Sequence, residues 1–241
     1  LTNVLVPHFE KKTLLRQMEK RSDWKSIEKK AALLTKLFKR NTAELRSVLF
    51  RRIHHVTNHD FIYGEIDFLS FHNILEKANP KPNEVFYDLG SGAGKAVFAA
   101  ALYFNFSKCY GIELLSPLYN KALNTLSKAE LQLKNTPSEL SKISSIHFIQ
   151  DSFLEYDFHN ANVIYIAATC FSETTWESLI NKMATLPSGT RIIVATKNIQ
   201  HERFDLIYQG VEIMSWGLCT VSIYKILGQT LSHGHGSVAE S

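Results

Sequence analysis

Eleven residues, Val85 to Lys95 (VFYDLGSGAGK), combine an acid and three glycines at a spacing that suits cofactor binding. An apolar run, Val85-Phe86-Tyr87, ends in Asp88, and Gly90, Gly92 and Gly94 follow at alternate positions. The next residues, Ala96 to Leu102, are apolar and read as a helix. The pattern predicts a buried parallel strand, a tight turn and a helix N-terminus. Its carboxylate falls at the strand's carboxyl end, where open α/β sheets bind ligands. Glycines there remove Cβ where backbone must approach a ligand closely or adopt positive φ. A second acid, Glu113, ends the next apolar strand in Tyr110-Gly111-Ile112-Glu113 and can accept both hydroxyls of a ribose. Asp88 suits an ammonium, and the helix N-terminus suits a carboxylate. Together these features predict a site for S-adenosylmethionine (SAM).

Other glycine loops fit less well. A phosphate-cradling P-loop requires G-x-x-x-x-G-K-[ST], but Leu89 holds its first glycine position and Ala96 follows Lys95. The dinucleotide fingerprint is G-x-G-x-x-G, whereas this chain has G-x-G-x-G and places a charge, Asp88, just before it.

These residues need a sheet to position them, and 241 residues suffice for one α/β domain with an added helical segment. Strands are expected at 85–89, 108–112, 146–150, 162–167 and 190–196, with helices at 68–78, 94–105, 117–133 and 174–185. Residues 134–145 read as a polar connector. Val211 to Ile226, β-branched and aromatic around Gly217, reads as an antiparallel pair. The sum is a doubly wound, seven-stranded α/β sheet of the class I SAM-dependent methyltransferase type. Three regions are expected: a basic helical segment at 1–57, a SAM-binding domain at 58–227, and a disordered tail at 228–241.

Charge is uneven. Residues 1–55 carry 14 Lys/Arg against 5 Asp/Glu, a net +9, and the rest of the chain carries −5. A basic arm on an acidic body suits nucleic acid or another polyanion. Trp24, Ile27, Ala31, Leu34 and Phe38, then Leu45, Leu49 and Ile53, form a helical stripe, in two helices meeting near Asn41-Thr42. That stripe predicts docking on the chain's own domain. Cys109, Cys170 and Cys219 are scattered and odd in number, which fits neither a disulfide framework nor zinc and is expected of a reducing compartment. His54, His55 and His59 read as helix surface, and no metal site is expected. No run reaches the length of a membrane span. An intracellular setting, cytoplasmic or nuclear, is expected; oligomeric state is not legible.

Four motifs, in order, resemble the non-SET histone lysine methyltransferases of the disruptor-of-telomeric-silencing class. Tyr63-Gly64-Glu65 resembles the family's YGE loop over the cofactor. Asp88 to Gly94 is similar to its DLGSGxG loop, and Tyr110 to Glu113 to its YGxE strand. Ser215-Trp216 with Val221-Ser222-Ile223-Tyr224 resembles its terminal SW…VSxY element. The resemblance implies protein-lysine methylation with SAM, on a protein substrate such as a histone or nucleosome. It implies that Tyr63, Glu65, Asp88, Gly90, Gly92, Gly94, Glu113, Asp151 and Ser152 bind the cofactor. It also implies that Tyr63, Phe171, Trp216 and Tyr224 line a lysine channel. Two departures stand out. The family's Asn-Asn-Phe segment after strand four is Ala167-Ala168-Thr169-Cys170-Phe171 here, and its Asp-Phe adenine pair is Asp151-Ser152 with Phe153 one place on. The alternative is a class I methyltransferase acting on a small molecule or RNA.

Overall fold

The computed structural model describes residues 12–38, 66–169, 171–214 and 217–228. After a short helical stretch at 12–18, the elements are α1 (Trp24–Phe38), α2 (Phe68–Lys77), β1 (Val85–Leu89), α3 (Lys95–Tyr103), β2 (Lys108–Ile112) and α4 (Ser116–Leu133). Then come α5 (Pro137–Ile143), β3 (Ile146–Ile149), β4 (Val163–Ala167), α6 (Glu173–Met183), β5 (Arg191–Ala195), β6 (Phe204–Met214) and β7 (Gly217–Ile226). Seven strands form one sheet in the order β3-β2-β1-β4-β5-β7-β6. Five are parallel, and β7 inserts antiparallel between β5 and β6. The chain therefore winds outward from β1 to β3, then returns to β4 on the other side of β1. That reversal is the switch point at which such sheets bind ligands.

Local chemistry sets the element ends. Asp67 caps α2 by accepting the Ser70 N–H at 3.1 Å, and Ser172 caps α6 by accepting that of Thr175 at 3.1 Å. Pro117 and Pro137 occupy the first turns of α4 and α5, where a missing N–H costs nothing. Strand alternation divides the core. Phe86, Val163, Tyr165, Ile193, Val221 and Ile223 face α1, α2 and α3. Tyr87, Leu89, Ile164, Ile166, Ile192, Val194 and Tyr224 face α6.

Two expectations change. The 134–145 connector contains α5, a short polar helix whose one fully buried residue is Ile143. The terminal hairpin starts at Phe204, seven residues before Val211, because a register shift between Leu206 and Tyr208 breaks the period-two pattern on this edge strand. The stripe on α1 does dock on the sheet domain, burying Ile27, Leu34 and Phe38 in the core that includes Phe98 and Phe71. Arg21 reinforces this, donating to both oxygens of Glu76 on α2 at 2.7 Å. The second helix of the stripe, beyond Phe38, lies outside the described residues, as does the expected disordered tail from 229 onward.

Candidate cofactor and active site

The turn after β1 folds back on β2. Ile112 O accepts the N–H groups of both Gly90 and Ser91 at 2.9 Å, and Ser91 O accepts that of Gly94 at 2.8 Å. Gly90, Gly92 and Gly94 have φ of 82°, 55° and 87°. At Gly94 a Cβ would run into the Phe148 ring as well as adopting a left-handed backbone, so glycine is required there twice over. α3 starts at the next residue with its N–H groups aimed at the turn.

Two carboxylates frame this turn. Asp88 is buried, and burial together with the Glu113 carboxylate pushes its pKa well above the usual carboxylate range. Glu113 is also buried. Its Oε2 accepts the Gly92 N–H and its Oε1 that of Leu115, each at 2.8 Å. Burial pushes its pKa up, opposed by those backbone donors. A carboxylate this buried costs several kcal/mol, roughly, unless a cation or donor compensates it. Among the described residues no cation acts on Asp88. A ligand that brings an ammonium to Asp88 and hydroxyls to Glu113 supplies that compensation, so the donor set fits SAM.

Residues from the neighbouring strands converge on the same end. Asp151 and Ser152 follow β3 and are partly exposed; Asp151 Oδ1 accepts the Ser152 N–H at 2.7 Å. Phe171, after β4, lies over Gly90, its ring tip 3.8 Å from where a Cβ would stand. It stacks on Phe153 with centroids 5.2 Å apart and planes at 29°. The structure thus gathers Asp88, the three glycines, Glu113, Asp151, Ser152 and Phe171 around the switch point. Tyr63, Glu65 and Trp216 lie outside the described residues.

Tyr224 is a correction. It pairs with Ile192, three positions inside the end of β5, and its ring faces α6, on the opposite side of the sheet from Asp88. It is 3% exposed, and its hydroxyl accepts the Ile199 N–H at 3.0 Å. Alternation places Tyr224 in the core rather than in a channel on the Asp88 face. Two residues were missed. Lys182 on α6 anchors the loop of Asp151 and Ser152, and Tyr165 stands beside Asp88 in the sheet. Both depend on contacts across elements that no local pattern reveals.

Strand order, the glycine turn and the two strand-end acids define the class I SAM-dependent methyltransferase fold. Residues 48–237 match the family described as "Histone methylation protein DOT1", and the chain belongs to that family. It is 25% identical over 193 residues to a Kluyveromyces lactis protein named "Histone-lysine N-methyltransferase, H3 lysine-79 specific", covering 75% of this chain and 32% of that protein. A Candida albicans protein of the same name is 33% identical over 154 residues, covering 62% of this chain and 11% of that one. The chain spans a third or less of the length of the curated relatives it matches. Among solved structures, TrmN from Thermus thermophilus is similar with a TM-score of 0.51 and 20% identity, covering 68% of this chain and 50% of that one, a likeness of fold. Among the described residues no helix is long and apolar enough to cross a membrane, and no cluster of metal-ligating side chains occurs.

Proposed function

We propose that this protein is a SAM-dependent protein-lysine N-methyltransferase acting on a histone in the nucleus. The observation that carries the reading is the buried Asp88–Glu113 pair around a glycine turn, with no cation acting on Asp88 among the described residues, in a chain of the DOT1 family. Bound SAM supplies an electrophilic methyl group. Asp88 holds the ammonium, Glu113 the ribose hydroxyls, and Asp151 with Ser152 the adenine edge. The turn and the first turn of α3 receive the carboxylate. Tyr63 and Glu65 close over the cofactor in this reading, and Tyr63 and Trp216 complete a channel with Phe171.

A lysine attacks only as the free amine. Phe171 and Phe153 present an apolar wall beside Gly90, and burial against such a wall lowers a lysine pKa. Displacement at a sulfonium then depends chiefly on alignment, with nitrogen and methyl about 3–3.5 Å apart. The exposed cations of residues 12–38, among them Lys12, Arg16, Lys20, Lys25, Lys29 and Lys36, suit the phosphates of nucleosomal DNA.

The test incubates methyl-labelled SAM with nucleosomes, free histones, total cell protein and RNA. Label on a histone lysine, absent with the Asp88→Ala variant, supports the reading. Label only on RNA or on a non-histone protein overturns the histone assignment.

A further inference from the structure

Tyr165 stands in the middle of β4, directly opposite Asp88 in the parallel β1–β4 ladder. Its side chain lies on the face that Asp88 shares with Phe86, edge-on against Phe71 at 5.0 Å between centroids. The residue is 2% exposed, and its hydroxyl has no hydrogen-bond partner among the described residues. Phenylalanine would fill the same space without stranding a polar atom, so the oxygen is a cost that packing does not explain. Among the described residues, the charged and titratable groups around it are few. Asp88 approaches from β1 and Cys219 from β7. Glu212 on β6 acts on Cys219 and is itself held by Lys77 of α2, while Glu113, just after β2, acts on Asp88. Burial, Asp88 and Cys219 all push the Tyr165 pKa up, so the hydroxyl keeps its proton and has it to donate.

We propose that Tyr165 is a positioning residue for the cofactor-binding carboxylate of Asp88: its hydroxyl donates to that carboxylate when the ligand's ammonium holds Asp88 ionised. The inference rests on the reading that Asp88 binds that ammonium. Without a ligand, burial and Glu113 disfavour the ionised carboxylate, which is the stronger acceptor of the two forms. With the ammonium in place the carboxylate ionises, and Tyr165 satisfies an oxygen on the side away from the ligand. The donor lowers the pH at which Asp88 becomes competent and fixes the carboxylate's rotation.

Calorimetric titration with S-adenosylhomocysteine, which carries the same ammonium and carboxylate, tests this between pH 5 and 8.5 on the wild type, Tyr165→Phe and Asp88→Asn. Affinity of the wild type falls on acidification as Asp88 protonates. In Tyr165→Phe the midpoint of that fall moves up by about one pH unit, and affinity below it drops about tenfold. Thermal unfolding should show Tyr165→Phe at least as stable as the wild type, and Tyr165→Leu provides a second hydroxyl-free variant with the same midpoint shift. An unchanged midpoint, with or without weaker binding, overturns the inference and makes Tyr165 a packing residue. Wild-type affinity in Asp88→Asn instead overturns the role of Asp88, and the role of Tyr165 with it.

Discussion

Lys182 Nζ on α6 donates to Tyr156 O at 2.7 Å, joining a helix on one face of the sheet to the loop that follows β3. The same ammonium donates to Leu154 O at 2.7 Å and Phe153 O at 3.1 Å, and lies 4.9 Å from the Phe158 ring centroid. Three carbonyls of one turn share one cation, so the turn has a single shape. Asp151 and Ser152 begin that turn, and Phe153 sits within it.

Lys182→Met should keep the packing of the side-chain stem and lose all three hydrogen bonds. The carbonyls lie near solvent and can rehydrate, so the expected loss of stability is modest, about 1–2 kcal/mol. The larger effect should fall on the cofactor. KM for SAM should rise several-fold with kcat little changed, because adenine contacts are made alike in ground and transition states. Steady-state kinetics with a thermal melt separates the two effects. A fall in kcat with unchanged KM would place Lys182 in a different role.

Asp88 links stability to pH in the opposite sense from a salt-bridged carboxylate. Burial and Glu113 raise its folded-state pKa well above that of a free aspartate. A group with a raised folded pKa contributes stability below its unfolded pKa and loses it as pH rises through the folded value. Its contribution to unliganded stability therefore declines from about pH 4 upward. Asp88→Asn should remove that decline, giving an unliganded protein more stable by roughly 1–2 kcal/mol at neutral pH, together with the loss of SAM binding. Denaturant unfolding of both proteins at several pH values checks this. A variant less stable than the wild type at pH 7 would show that Asp88 is compensated in the unliganded fold.

The parallel half of the sheet was legible because its punctuation is local. Asp88 with the glycine turn, Ser116-Pro117 and Pro187-Ser188-Gly189 each mark an end that the structure reproduces within a residue or two. The edge strand β6 was half missed. Asp205 and the Gln209-Gly210 pair are poor strand formers, and the shift at Leu206/Tyr208 removes the alternation by which a strand is recognised. Pro137–Ile143 was missed because seven mostly polar residues show no helical stripe. The acids and glycines could be placed together because their positions follow from the ends of two adjacent strands and the turn between β1 and α3. Tyr165, Tyr224 and Lys182 could not. Which face Tyr224 takes depends on how β7 pairs with β5, and Lys182 meets carbonyls 26 to 29 residues away.

Gly94→Ala should damage both fold and site. Alanine at a φ of 87° is strained by about 1–2 kcal/mol, and the methyl must displace the Phe148 ring. The total expected loss is about 2–4 kcal/mol, with SAM affinity reduced further because the first turn of α3 shifts. Adding Phe148→Ala should relieve the clash and leave the backbone strain, so the double variant recovers only part of the loss. Full recovery in chemical denaturation would show that the glycine is needed for space alone.

Tyr224→Phe separates a core tyrosine from one that guides a substrate. The hydroxyl accepts the Ile199 N–H at 3.0 Å, and both residues are buried. Removing it strands a buried backbone donor, at a cost of about 1–3 kcal/mol. Because the ring faces α6 and Asp88 lies across the sheet, kcat and the KM for a lysine substrate should stay near wild-type values at temperatures where the protein is folded. A melting temperature several degrees lower with normal turnover is the expected pair of results. A stable variant with a selective loss of kcat would return Tyr224 to the channel and require β7 to present its other face when substrate binds.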